Sequence, residues 1–258
     1  MNLLTEKPAK GFYRFSSPQT FYPLAEKMLP WFWVAAALFG IAGLWISFFV
    51  APTDATQGEA YRLIFVHVPA SWMSMFIYLV MAAWAGIGLA LGTRLSGMMA
   101  QALAPTGALM AALSLATGSL WGRPMWGTWW IWDARLTSEL ILFFLYIGFI
   151  ALQAAIDDPR RADKAGAVLA LVGVVNVPII YFSVIWWNSL HQGSSVSLTK
   201  SPSMAQTMFA GMILMALCFW MYSIAVALMR VRAIIIERER NAEWVRTEIS
   251  MEKANAVE

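Results

Sequence analysis

The chain has 258 residues, of which 60% are hydrophobic and only 13% charged, with a formal net charge of +3. A soluble domain keeps roughly a quarter of its residues charged, so half that share excludes an ordinary water-soluble globule and makes lipid the solvent for much of the surface. The basic residues sit in short loops and tails between apolar runs, which membrane topology explains better than a nucleic-acid ligand, and the single cysteine, Cys218, excludes an intramolecular disulfide and a Cys-based metal site.

A helix crosses a hydrocarbon core of ~30 Å with about 20 apolar residues. On that ruler the sequence predicts an all-α integral membrane protein, a six-transmembrane-helix bundle. Residues 1–30 mix charge (Glu6, Lys7, Lys10, Arg14, Lys27) with aromatics (Phe12, Tyr13, Phe15, Phe21, Tyr22), as suits a cytoplasmic tail resting at an interface. The membrane domain is expected over 31–229. Its first span, about 31–50, is long enough to cross and reads as retained rather than as a cleaved signal. A loop with Pro52, Asp54, Gln57, Gly58 and Glu59 leads to a short apolar stretch holding His67, and Pro69 suits the first turn of a second span, about 70–91. The third span, about 98–120, contains Pro105 and several small residues, as closely packed membrane helices do.

A Trp-rich loop follows, from Trp121 to Arg135, and then a fourth span at about 136–156. The aqueous segment 157–164 separates it from a fifth span, about 165–187, with Asn176 and Pro178 inside. A polar loop holding His191 and Lys200 ends at Ser201 and Pro202, a helix-start signal for the sixth span, about 203–229. Residues 230–258 form a charged, initially helical cytoplasmic tail. No internal repeat or low-complexity tract is evident.

Lys and Arg placement sets the orientation. With the N terminus inside, the inner segments hold Lys7, Lys10, Arg14, Lys27, Arg94, Arg160, Arg161, Lys164, Arg230, Arg232, Arg238, Arg240, Arg246 and Lys253, and the outer ones only Arg62, Arg123, Arg135 and Lys200. The expectation is therefore N-in and C-in. His67, the Trp-rich loop between helices 3 and 4, and His191 then share the outer face.

Trp121, Trp126, Trp129, Trp130 and Trp132 crowd that loop. Trp favours the headgroup zone, so an interfacial re-entrant segment is one reading; a platform for a planar hydrophobic ligand is the other, with Gly122 and Gly127 letting backbone approach a ring closely. Each histidine alone reads as an interfacial polar residue. Together, on one face, two neutral imidazoles can supply both axial positions of a haem iron, but they are too few for a structural zinc site. A serine hydrolase using Ser194 or Ser195 lacks its nucleophile-elbow context. Arg123 and Arg135 pair with Asp133, or meet ligand carboxylates through the Arg fork. Asp133 caps the fourth span or holds an indole N–H. Glu139, deeper in that span, is paired or functional, since burying it alone is costly.

The run Trp126-Gly-Thr-Trp-Trp-Ile-Trp-Asp133 resembles the WWD signature of haem-handling membrane proteins. With Val66-His-Val-Pro-Ala-Ser-Trp72 and Ser189-Leu-His-Gln-Gly-Ser194 around it, the chain is similar to the CcmC family of bacterial cytochrome c maturation over most of its length, outside residues 1–25 and those beyond about 235. The resemblance implies non-covalently bound haem b, with His67 and His191 as axial iron ligands. It also implies a platform of Trp126, Trp129, Trp130, Trp132 and Asp133, flanked by Trp121, Arg123 and Arg135. Haem would pass, at the periplasmic face of the bacterial inner membrane, to the haem chaperone CcmE. The partners implied are CcmE, the small membrane protein CcmD and the ABC transporter subunits CcmA and CcmB, with membrane lipid around the spans and no nucleic acid. The chain would act as a lyase-like transfer factor more than a conventional catalyst. A haem-translocating transporter subunit and a bis-His membrane cytochrome are the alternatives; the latter would be expected to carry its histidines on helices inside the bundle.

Overall fold

The computed structural model describes residues 16–187, 189–191, 196 and 201–255. Six helical segments in it are long and apolar enough to cross a membrane: Pro18–Val50, Glu59–Leu91, Arg94–Trp126, Ala134–Ala155, Pro159–Trp186 and Gln206–Arg238. The elements are α1 (Pro18–Trp45), continued by a π-helical turn at Ile46–Val50; α2 (Ile64–Leu91), entered through a 3-10 turn at Glu59–Leu63; α3 (Arg94–Trp126); α4 (Ala134–Ala155); α5 (Pro159–Gly173); α6 (Asn176–Trp186); α7 (Gln206–Arg238); and α8 (Glu243–Asn255). No strand occurs among the described residues. The six-helix, all-α architecture matches the sequence reading.

Several bounds differ from it, each for a local reason. Helix α1 starts thirteen residues before Trp31, because Ser17 caps it and Pro18 occupies its first position, where a missing N–H costs nothing. Residues 16–30 of the expected tail are thus largely helical, whereas residues 1–15 lie outside the described set. Helix α2 begins before His67, so Pro69 sits inside a helix rather than in its opening turn. Neighbouring helices make such a proline tolerable in a membrane bundle. The sixth span starts at Gln206 and not at Ser203, and α7 runs on to Arg238. Lys200, Ser194 and Ser195 lie outside the described residues.

The fifth span is two helices. Pro178 has no N–H to give the carbonyl of Val174, which accepts instead from the N–H of Val177 at 3.1 Å. The chain turns at residues 174–175, and the Asn176 amide bonds the carbonyl of Ser138 at 2.9 Å, fixing α6 to α4.

Helices α2 and α3 pack along each other at the centre, with α4, α5 and α7 around them and α1 held mainly by α7. Glycines let the central helices approach. A Cβ on Gly107 would lie 2.1 Å from the Tyr146 ring, and one on Gly173 2.1 Å from the Tyr78 hydroxyl. The two tyrosines meet edge to face at 5.0 Å. At the end of the bundle away from both histidines, ion pairs join the connections. Arg238 forks onto Asp163 at 2.7 and 3.0 Å and reaches Gln101, while Arg94 pairs with Glu239 at 2.7 Å.

Gly107→Ala is expected to destabilise the bundle by about 1–3 kcal/mol, the usual range for overpacking. The thermal midpoint of the detergent-solubilised protein measures this, and an unchanged midpoint would show that Tyr146 can move aside.

Candidate functional site

His67 lies one turn into α2, and its position is fixed by the helix behind it. Its Nδ1 is 3.0 Å from the Ser114 carbonyl and 3.2 Å from the Thr117 hydroxyl, both on α3. A carbonyl only accepts, so Nδ1 carries the ring proton and Nε2 keeps its lone pair. Metal-binding histidines show this arrangement, in which a backbone acceptor fixes the tautomer and the ring orientation. Gly118 makes it possible, since a Cβ there would sit 2.9 Å from the imidazole Cε1. His67 is therefore a helix-borne histidine, where the sequence reading placed it in a loop before the span.

His191 follows α6 in the connection to α7, and a relay orients it. Asp133 caps α4 by accepting the Leu136 N–H at 2.8 Å, and its other oxygen accepts a short hydrogen bond from the Ser189 hydroxyl. Ser189 Oγ in turn accepts the backbone N–H of His191 at 3.0 Å. The two imidazoles come together across a gap, with centroids 6.2 Å apart and planes at 38°.

That spacing has a chemical meaning. A metal–imidazole bond of about 2.0 Å puts a ring centroid about 3 Å from the metal, so two rings on opposite sides of one ion stand about 6 Å apart. Among the described residues no group of three or more His, Cys, Asp or Glu could hold a metal. The pair thus suits an ion that brings its remaining ligands with it.

A cavity of about 350 Å³ opens beside the pair. Its walls are mainly apolar, with Val68, Trp72, Met75, Leu115, Met125 and Met212. The tryptophans divide in two. Trp121 meets His67 edge to face at 5.8 Å and donates its indole N–H to Gln57 at 3.0 Å. Trp126 stands 6.3 Å from His191, packed over Gly122, and with Trp130 it lines the cavity. Trp129 and Trp132 do not line it and are 54% and 76% exposed. The platform expected from the sequence is thus split: in this geometry its outer two members face lipid or water.

The loop itself is shorter than expected, because α3 continues through Trp121 and Arg123 to Trp126. Gly127 ends it at φ +75, donating its N–H to the Arg123 carbonyl, the usual left-handed stop. A Cβ on Gly127 would meet nothing within 4 Å, so it serves the turn rather than a close ring approach.

Neither arginine pairs with Asp133 among the described residues. Arg123 is exposed, bonds the Gly127 carbonyl and lies over the Trp129 ring at 5.9 Å. Arg135 points inward to the Ile180 carbonyl at 2.7 Å and the Ser71 hydroxyl at 2.9 Å, on the cavity floor. Glu139 lies beside it, hydrogen-bonded to Ser74 at 2.7 Å. Ser71 and Ser189 fall inside the two histidine motifs and Gln57 in the loop before the first of them, but the sequence gives none of these a role, and nothing in it marks Ser74.

Comparison with known proteins identifies the family. Residues 11–246 match the family model described as CcmC, heme exporter protein C. The chain belongs to that family. It is 43% identical over 237 residues to the heme exporter protein C of Escherichia coli K12, covering 92% of this chain and 95% of the relative. It is 41% identical to that of Haemophilus influenzae over 92% of this chain and 96% of the relative, and 45% identical to that of Bradyrhizobium diazoefficiens over 86% and 84%.

Arg135→Ala removes two charge-assisted hydrogen bonds that tie α4 to α2 and α6. It is expected to cost about 3 kcal/mol, seen as a lowered thermal midpoint before any ligand is added.

Proposed function

We propose that this protein binds haem b non-covalently between His67 and His191 and hands it to an acceptor during cytochrome c maturation. The observation that carries the reading is the imidazole pair: ring centroids 6.2 Å apart, with the His67 Nε2 lone pair left open by the Ser114 hydrogen bond. Family membership supports it, since the relatives are named heme exporter protein C. Haem is cargo here; it brings the iron and the four equatorial nitrogens that the protein lacks.

The residues divide the work. His67, set rigidly on α2, supplies one axial ligand in fixed register. His191, on a connection steered by Asp133 and Ser189, supplies the other. Trp121, Trp126 and Trp130 give the apolar wall for a flat ring, Arg135 offers a guanidinium to a carboxylate inside, and Arg123 offers one at the rim. Trp129 and Trp132 hold the loop at the interfacial zone, where indoles sit well. By the charge distribution this face is periplasmic, on the bacterial inner membrane, with both termini cytoplasmic. The acceptor is then the haem chaperone CcmE, working with CcmD and the transporter subunits CcmA and CcmB.

One observation favours a second reading, a bis-His membrane cytochrome: His67 is helix-borne inside the bundle. Against it, His191 sits on a connection outside any helix, as release requires. The broken fifth span lends a haem-translocating subunit little, because Asn176 at the break is engaged with Ser138.

His67→Ala and His191→Ala should each lose the low-spin absorbance of purified haem-loaded protein. Unchanged spectra in both would remove the ligand assignment. The topology is checked separately by reporter fusions. Fusions after residues 93 and 158 should be active inside, one near residue 58 outside, and the reverse pattern would invert the orientation.

A further inference from the structure

The cavity is not equally walled on all sides. From α2, α3 and α7 its lining includes Ser71, Met75, Ser114 and Met212, all buried. On α6 the lining side chains Tyr181 and Ile185 are 57% and 71% exposed. Cavity surface alone does not account for this, since Val68 and Trp126 line the same space and are only partly exposed. Each of the two therefore has one edge on the cavity and the rest outside the protein. They stand four residues apart on α6, a spacing that puts them on one helix face. Helix α6 packs chiefly on α4, and α7 on α1, α2 and α3; no substantial packing joins α6 to α7 among the described residues. The wall there is a single layer of side chains.

Depth decides what lies beyond that layer. Helix α6 ends at Trp186, and Trp186 and Trp187 are both exposed, as indoles are at the headgroup level. Tyr181 and Ile185 precede Trp186 by five residues and by one, so they lie about 8 Å and about 2 Å below that level at 1.5 Å per residue. The outer surface of the layer therefore meets acyl chains rather than water. We infer that the cargo enters the cavity sideways, from the lipid leaflet on the histidine side, through the wall closed by Tyr181 and Ile185; this rests on the haem reading above. A porphyrin is flat and largely apolar, so it partitions into lipid and passes edge-on between two side chains. Opening needs no helix motion. Arg135 holds the α6 backbone through the Ile180 carbonyl at 2.7 Å, while exposed side chains change rotamer within nanoseconds. The Trp-rich side is tied by hydrogen bonds instead, from the Ser119 hydroxyl to the Trp129 carbonyl at 2.8 Å and from Trp121 to Gln57 at 3.0 Å. The step that supplies this protein then need only place haem in that half of the bilayer.

The test is the rate at which haem-free protein in phosphatidylcholine–phosphatidylglycerol vesicles gains low-spin absorbance. Haem is supplied either dissolved in those membranes or bound to serum albumin in the water. The unaltered protein should load faster from the membrane. Tyr181→Cys and Ile185→Cys, each in a Cys218→Ser background, are then labelled in detergent with pyrene maleimide before reconstitution, so the fold forms before the obstruction is added. Either label should slow loading from the membrane about tenfold, the rate factor for the low end of overpacking costs, with the final absorbance kept. Val168→Cys, exposed on α5 and away from the cavity, should load normally when labelled alike. A methanethiosulfonate that adds only a thiomethyl group at 181 or 185 should leave the rate near that of the unlabelled variant. Unchanged rates with pyrene at both positions overturn the inference, as do equal slowing by the two reagents and faster loading from albumin. A lost final absorbance also overturns it, because it places the label at the iron ligands and not at an entrance. Absence of low-spin absorbance from the unaltered protein overturns the haem reading instead.

Discussion

The site depends first on one hydrogen bond, from His67 Nδ1 to the carbonyl of Ser114. In a helix that carbonyl already receives the N–H four residues on, which belongs to Gly118. A carbonyl has a second lone pair, and the imidazole reaches it because Gly118 has no side chain in the way. The close packing of α2 on α3 is therefore also the device that fixes a tautomer. A donor at Nδ1 leaves Nε2 with its lone pair, on a ring that lines the cavity.

The two histidines are held by different means. His67 belongs to a helix wedged at the centre of the bundle. His191 belongs to a connection, and its backbone is steered through Ser189 by Asp133, the residue that also starts α4. Asp133 thus ties the end of the Trp-rich loop, the fourth span and the second histidine together without lining the cavity. For a protein proposed to take up a ligand and release it, one rigid and one steered ligand is a workable combination. The rigid one sets register, and the other is positioned through Ser189 and Asp133.

The opposite end of the bundle uses other forces. Arg238, Asp163, Gln101, Arg94 and Glu239 form charged and polar contacts that lock the connections between spans. Such pairs gain strength where water is partly excluded and geometry is bidentate. Among the described residues the histidine end has few ion pairs and is held by aromatic contacts and single hydrogen bonds.

The sequence by itself determined the solvent and the number of spans, and it marked the candidate residues. Apolar runs of about 20 residues have one stable reading in lipid, where backbone groups must be satisfied within the helix. Two histidines and a dense run of tryptophans are visible as composition alone. It could not determine which side chains meet, because that depends on the rotation and depth of each helix, and many packings satisfy the same apolar pattern. Trp129 and Trp132 read like Trp126 and Trp130 in the chain; the left-handed turn at Gly127 and the loop after it send them outward. Arg123 and Arg135 looked alike as partners of Asp133, yet one lies on the rim and the other on the floor. His67 looked like a loop residue because Pro69 suggests a helix start, while the bundle tolerates that proline within α2. Only the tertiary structure decided that the Ser114 carbonyl fixes the tautomer of His67, and that Glu139, already marked in the sequence as a costly acid within a span, lies buried with one oxygen bonded to Ser74 and the other without a hydrogen-bond partner among the described residues.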